Sequence, residues 1–388
     1  MEIRYSLSNN TWAEEEYAAV GKVLQSGRYT MGENVAAAER MAAEKFGAKY
    51  AVMTSSGSTA NLLGIAAMVY AGRLSRGDEI LVPAVSWSTT YFPLEQMGLK
   101  PRLVDIDPNT LNMDAAKAEA AVTEKTKGIF AVNLLGNPNR FDRLEALCQK
   151  RGLTLMEDNC ESMGARFHGR MAGSFGIFGT FSTFFSHHLC TMEGGFVVTD
   201  DEELYHYMLS VRAHGWTRNL PADSALHTKS DNPFYESFCF VVPGFNLRPL
   251  EMEGALGVAQ LEKLDGFIEQ RRRNAAYFKS TVGEDGRFSM QEEIGESSWF
   301  GFALILRAPL PGGRDRVVAR LREAGIETRP IVAGNFARQP VFSRMDASIA
   351  GRLDAADDIH DNGFFVGNHS VDMREQIDYL GGVLKGIR

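Results

Sequence analysis

YAVMTSSGSTANLLGIAA (Tyr50–Ala67) passes from a short apolar run of strand type, through a turn at Ser55–Gly57, into a stretch of helical length entered through Ser58, Thr59 and Ala60. A strand that turns straight into a helix is one half of a parallel β-α-β unit. The unit recurs as far as Thr199. Further apolar runs begin at Glu79 (EILV), Arg102 (RLVDI), Gly128 (GIFAVNL), Leu153 (LTLME), Gly179 (GTFSTF) and Gly195 (GFVVT). Such alternation predicts an α/β large domain built on a seven-stranded, mostly parallel sheet covered by helices. After Pro249 the pattern changes. LEMEGALGVAQLEKLDGFIEQRRRNAAYF carries apolar residues at helical spacing and is long enough to join two lobes. Beyond it FGFALIL (from Phe300) reads as a strand, DRVVARLREAG (from Asp315) as an amphipathic helix ending at Gly325, and IETRP as a further strand. The expected division is a large domain over 1–250, and a linking helix with a small α+β domain over 251–388.

Bulk properties narrow the function. The 388 residues exceed one ordinary core, and 44% hydrophobic with 23% charged residues is a globular composition. A net charge of −8 argues against a nucleic-acid binder, which needs clustered Lys and Arg. The first residues, MEIRYSLSNNTW, have no apolar run behind a basic start, and no run of about 18 apolar residues occurs. A cytoplasmic protein with no membrane partner is expected. Cys148, Cys160, Cys190 and Cys239 lie far apart, the spacing of reduced structural thiols and not of a metal or iron–sulfur ligand set.

Several residues could carry chemistry. The Ser/Gly turn before the helix at Gly57 and Ser58 offers unpaired N–H groups and a positive dipole end to a phosphate, although Ser58 or Thr59 capping its own helix reads equally well. LTLMEDNCESMGA ends a strand in Glu157 and Asp158 at the carboxyl edge of the sheet, where α/β folds bind ligands. A carboxylate there suits a pyridine nitrogen that must stay protonated; it also suits the capping of the next turn. Trp87, past another strand end, could stack on a flat ring or fill the core. In GTFSTFFSHHLCTMEGGFVVTD (Gly179–Asp200) a strand leads through Ser182 to a histidine pair, His187 and His188, and on to Glu193, Gly194 and Gly195. The pair lacks a nearby third metal ligand.

Taken with VPAVSWSTTYFPL, EDNCESMGA, RAHGWTRNLP, PGFNLRPLEM, GESSWFGF, RPIVAGNF and FVGNH, this pattern resembles the sugar aminotransferase family of fold type I pyridoxal-phosphate enzymes over nearly the whole chain. The resemblance implies the aspartate aminotransferase-like fold and a pyridoxal 5'-phosphate or pyridoxamine 5'-phosphate cofactor. In that family a lysine, in a pattern like SFFxxKxLxxGEGG, holds the cofactor covalently. His187 falls on that position, and no lysine occurs between Lys150 and Lys229. The cofactor must therefore be held noncovalently. On the residues alone His187 and His188 are equivalent; the lysine position selects His187 as catalytic acid/base, an imidazole near pKa 6.5 being able to move protons.

The same resemblance implies that Gly57, Ser58, Trp87, Asp158, Glu161 and Ser182 contact the cofactor. It implies that Asn246 reaches the cofactor phosphate of a neighbouring subunit, hence a homodimer with shared active sites. Arg218 and Arg329 are candidates for substrate or diphosphate contacts, or for surface ion pairs. The lysine-to-histidine change points, within the family, to removal of the 3-hydroxyl of a GDP-linked 4-keto-6-deoxy sugar with L-glutamate as amino donor. Ammonia, 2-oxoglutarate and a 3-deoxy keto sugar would be released. The alternatives are a nucleotide-sugar aminotransferase, an iron–sulfur-dependent 3-dehydratase, disfavoured by the cysteine spacing, and an inactive scaffold that kept the fold.

Overall fold

A computed structural model describes residues 2–387. The main sheet has the strand order β1 (Tyr50–Thr54), β9 (Gly195–Thr199), β8 (Gly179–Ser182), β5 (Thr154–Asp158), β4 (Thr126–Val132), β2 (Glu79–Pro83), β3 (Lys100–Val104) and β12 (Ser348–Ile349). Every pairing is parallel except those of β9, which runs antiparallel to both β1 and β8. Strands such as β2 and β9 are buried throughout, which is why they read as continuous apolar runs. The seven expected strands are all present. The sheet nevertheless has eight, because two residues from far along the chain, Ser348 and Ile349, add to the edge of β3. A two-residue strand carries no periodicity to read. A hairpin of β6 (Arg166–Phe167) and β7 (Arg170–Met171) stands apart from the sheet.

A second sheet, β10 (Phe288–Met290), β11 (Gly301–Leu306) and β13 (Gly363–Gly367), is antiparallel. The expected strand IETRP does not form. Ile326 and Arg329 make only isolated bridges, Ile326 to Tyr5 and Arg329 to Phe365 in the middle of β13, so the pairing is split between two partners and no continuous ladder forms.

The helix Glu251–Thr281 connects two cores. Leu261, Leu264 and Ile268 pack with Phe46, Phe181 and Phe196 beside the large sheet. Ala275 and Phe278 pack with Phe302, Phe364 and Leu380 under the small one. Tyr5 crosses from the chain start into this second core, its hydroxyl donating to the Gly367 carbonyl at 2.7 Å. We propose the boundary at 250/251 on these cores, with that N-terminal end exchanged. The parallel strands place Pro83, Asp158 and Ser182 at the carboxyl edge of the sheet. There the helix Gly57–Tyr70 also begins, directly after β1.

Candidate active site

The helix Gly57–Tyr70 starts one residue earlier than its sequence suggests. Ser56 is the N-cap: its Oγ accepts from the Thr59 N–H at 3.1 Å, while Thr59 Oγ1 accepts from the Ser56 N–H at 2.9 Å. Neither Ser58 nor Thr59 is the N-cap, and the backbone N–H groups of Gly57 and Ser58 have no protein partner among the described residues. Gly57 is pressed onto the sheet edge. A Cβ there would lie 2.5 Å from Ser182 Cβ, 2.9 Å from Ser182 Oγ and 3.0 Å from Cys160 Sγ. Glycine lets the backbone approach this closely, leaving an anion cradle between the helix start and Ser182. Substituting Gly57→Ala is expected to weaken pyridoxal-phosphate binding by about tenfold or more, since overpacking costs on the order of 1–3 kcal/mol. A cofactor titration measures it; an unchanged Kd would place the phosphate elsewhere.

Asp158, at the end of β5, is 5% exposed. Its Oδ2 accepts from Asn61 Nδ2 and Thr90 Oγ1, both at 2.8 Å, and Oδ1 accepts from the Cys160 N–H at 3.1 Å. The turn-capping and ligand-facing readings of this residue are thus compatible. Three bonds leave a carboxylate about one further acceptor site, enough for a pyridinium N–H. Asn61 and Thr90 were not anticipated. Asn61 is a buried amide four residues after Gly57, directly before the apolar run LLGIAAMV, and a polar residue at the head of that run is the signal that could have found it.

Trp87 precedes the helix Ser88–Gln96 and is 57% exposed, so it fills no core. Two residues on, Thr89 Oγ1 accepts from Ser58 Oγ at 3.2 Å, which ties the Trp87 turn to the cradle. Glu161 does not join this group directly: its Oε2 accepts from the Leu135 N–H at 3.0 Å. Burial, and secondarily the nearby Asp158, push its carboxyl up to about 7.

The two histidines differ sharply. His188 is fully buried and donates Nε2–H to the Ser298 carbonyl at 3.2 Å, a structural role. His187 is partly buried, edge-on to Phe184 and Phe300 with ring centroids 5.9 and 5.1 Å away. Neither of its ring nitrogens hydrogen-bonds to protein among the described residues, and its Nδ1 is buried. Burial first, and the Arg271 charge second, hold its pKa down at about 3, so the imidazole is neutral. A neutral imidazole without a protein partner is free to accept a proton from a bound ligand.

The ring of Phe300 is set by strained backbone. Its N–H donates to the Leu135 carbonyl at 3.0 Å, and Ser298 N–H to Gly136 at 2.9 Å. Leu135 and Trp299 both hold positive φ, 52° and 49°. Side chains rarely adopt that region, and it is retained where surrounding contacts enforce it.

The remaining predicted residues lie apart. Asn246 is exposed, with Oδ1 accepting from Arg248 Nε at 2.9 Å; the carbonyl of its neighbour Leu247 accepts from the Ser55 N–H at 3.0 Å, beside the cradle. Arg218 makes no ion pair among the described residues; its guanidinium lies 4.2 Å over Trp216 and 5.9 Å from the Phe238 ring. Arg329 is exposed, bridged to Phe365 by backbone alone. The four cysteines are free. One trio outside the site, His227, Glu236 and Cys239, brings ligand-type atoms within 4.8 Å of one another, with His227 Nε2 bonded to Glu236 at 3.0 Å.

The donors present are of the kinds that pyridoxal phosphate needs: N–H groups without a protein partner and the Ser182 hydroxyl suit a phosphate, the Asp158 carboxylate a ring nitrogen and the exposed Trp87 indole a flat ring, while His187 offers an imidazole and no amine. The chain belongs to the DegT/DnrJ/EryC1/StrS aminotransferase family, whose model matches residues 10–385. It is 55% identical over 387 residues to the GDP-4-keto-6-deoxy-D-mannose 3-dehydratase of Yersinia pseudotuberculosis, with 99% of this chain and 98% of that protein covered. A crystal structure of GDP-4-keto-6-deoxymannose-3-dehydratase with a trapped PLP-glutamate geminal diamine superposes with a TM-score of 0.96 at 53% identity, covering 98% of this chain and all of that one. Another, at TM-score 0.95 and 53% identity over 97% of this chain and all of the other, is ColD with a histidine changed to lysine and the serine just before it to asparagine. Ser186-His187 is the one Ser-His step in this sequence.

Proposed function

We propose that the protein removes the 3-hydroxyl of GDP-4-keto-6-deoxy-D-mannose, giving GDP-4-keto-3,6-dideoxymannose, with glutamate leaving as 2-oxoglutarate and ammonia. The balance is redox. Oxidation of glutamate supplies the two electrons by which the sugar loses an oxygen. The observation that carries the reading is His187, unpartnered and neutral, at the position where the family keeps a lysine. It is supported by the 55% identity to a dehydratase of that name.

Bound pyridoxal phosphate supplies an electron sink and, in its amine form, a nucleophile for the sugar carbonyl at carbon 4. The N–H groups of Gly57 and Ser58, with Ser182, hold its phosphate. Asp158, kept in place by Asn61 and Thr90, keeps the ring nitrogen protonated. Trp87 covers the ring, and Glu161 holds the Leu135 turn that positions Phe300. His187 takes the proton from glutamate in the first half of the reaction, and in the second takes one from the cofactor's methylene carbon as the 3-hydroxyl departs. An imidazole cannot capture the sugar adduct covalently as a lysine would, so hydrolysis releases ammonia.

The exposure of Asn246 supports a homodimer in which it reaches the partner's cofactor phosphate; Arg218, which donates to the Ser237 carbonyl at 3.3 Å, and the exposed Arg329 pair with no carboxylate among the described residues, which supports them as contacts for the sugar nucleotide. Among the described residues no helix is long and apolar enough to cross a membrane, and we place the protein in the cytoplasm with its sugar-nucleotide substrate. The purified protein with pyridoxal phosphate and glutamate, without sugar, is expected to release one 2-oxoglutarate per active site and then stop. Continuous release without sugar, or none at all, would contradict the two-half scheme.

A further inference from the structure

Arg271, on the helix Glu251–Thr281, is 3% exposed and has no carboxylate partner among the described residues. Its Nη1 donates to the carbonyls of Phe300, at 3.2 Å, and Asn368, while Nε is buried with no partner. The amide of Asn368 closes the arrangement, donating to the carbonyls of Arg271 at 3.1 Å and Trp299 at 2.8 Å. Its neighbour Arg272, by contrast, pairs with Glu296 at 3.3 Å. A buried guanidinium with no counter-ion is costly, and an apolar side chain of similar length would fill the space without that cost. The bond to the Phe300 carbonyl leads directly to the candidate base, because the Phe300 ring is the nearer of the two that His187 packs against, 5.1 Å against 5.9 Å for Phe184.

We propose that Arg271 is a positioning residue for His187: through the Phe300 carbonyl it fixes the ring that orients the imidazole, and it presents to that imidazole a positive charge that no carboxylate neutralises. The inference rests on the reading of His187 as the proton-transfer group. The charge opposes formation of imidazolium, in the same sense as burial and after it in size. It also makes the imidazolium, once formed, a stronger acid, which speeds return of the proton. The other groups facing this corner do not offset it. Arg272 is neutralised by Glu296. His188, from His187's own loop, and His369, from the turn after β13, are kept neutral by burial and bond the carbonyls of Ser298 and Ser6. Glu161, from the loop after β5, is held toward its protonated form by burial.

The test follows 2-oxoglutarate formation in a single turnover against pH, with the full-length, cofactor-loaded protein and its Arg271→Gln and Arg271→Lys variants. In the unaltered protein the rate is expected to hold steady into mild acid. In Arg271→Gln the acid limb moves up by about one pH unit or more, toward the ordinary histidine range, and Arg271→Lys, which keeps the charge, restores most of the difference. A folded Gln variant whose limb stays in place overturns the proposal, however much stability it has lost. If that variant does not fold, Arg271→Met, apolar and of similar length, takes its place, with ¹⁵N-histidine spectra following the His187 signal assigned by its loss in His187→Asn: a midpoint raised by about one pH unit or more over the unaltered holoprotein supports the proposal, and an unmoved midpoint overturns it. Unaltered protein that forms no 2-oxoglutarate would refute the reading of His187 itself, a result distinct from an unmoved limb.

Discussion

Replacing His187 with Asn is expected to slow both 2-oxoglutarate release and sugar dehydration by at least about 100-fold, the usual contribution of a positioned acid/base group, while the protein stays folded. The two halves must fall together, because one imidazole moves the proton in each. Stability should change by less than about 2 kcal/mol, since the ring makes no protein hydrogen bond for the substitution to break. Its neighbour offers no substitute: His188 is fully buried and committed to the Ser298 carbonyl. Single-turnover assays of each half, with circular dichroism as the control on folding, make the comparison. If His187→Asn formed 2-oxoglutarate at the unaltered rate, another group would be the base, and the likeness to the family's lysine position would carry no mechanistic meaning.

The second large effect is expected at Asp158→Asn. The amide keeps the size of the side chain and loses its charge, so the ring nitrogen is no longer held protonated and the electron sink weakens. Losing an electrostatic partner of this kind costs about 100- to 1,000-fold in rate. The buried surroundings sharpen the effect, because no water replaces the missing charge at a residue 5% exposed. With its oxygen kept toward Asn61 Nδ2 and Thr90 Oγ1, the amide turns its NH2 on the Cys160 N–H, a donor that the carboxylate accepts from, so that donor loses its partner. The expected result is a slow glutamate half-reaction together with weaker cofactor binding. An unaltered rate would mean that the ring nitrogen faces something else.

Much of this was legible beforehand, and the reason is physical. Strands buried on both faces, such as β2 and β9, must be apolar throughout, which makes the sheet legible, and Asp158 reads as a strand end; Ser182 reads as lying inside GTFSTF, whereas β8 ends on it. Ser58 and Gly57 were legible as a turn before a helix, although the residue that caps the helix proved to be Ser56. The unread parts depend on contacts between distant residues. Nothing in IETRP shows that its pairing is divided between Tyr5 and Phe365, and Ser348 and Ile349 join β3 only because the chain returns to it. Asn61, Thr90 and Phe300 act through partners 97, 68 and 113 positions away. In sequence Arg271 is one of three consecutive arginines; its burial and its lack of a carboxylate partner separate it from Arg272 and Arg273, which pair with Glu296 and Glu269. The residue pair His187 and His188 could not be divided by sequence chemistry; burial and the Ser298 carbonyl give them different surroundings.

The most direct test is the mass of the sugar product after the protein is supplied with pyridoxal phosphate, glutamate and GDP-4-keto-6-deoxymannose. A sugar nucleotide one oxygen lighter, formed with equal amounts of ammonia and 2-oxoglutarate, is the expected result. A product that has gained nitrogen and kept its 3-hydroxyl would contradict it and make the protein an aminotransferase working without a lysine.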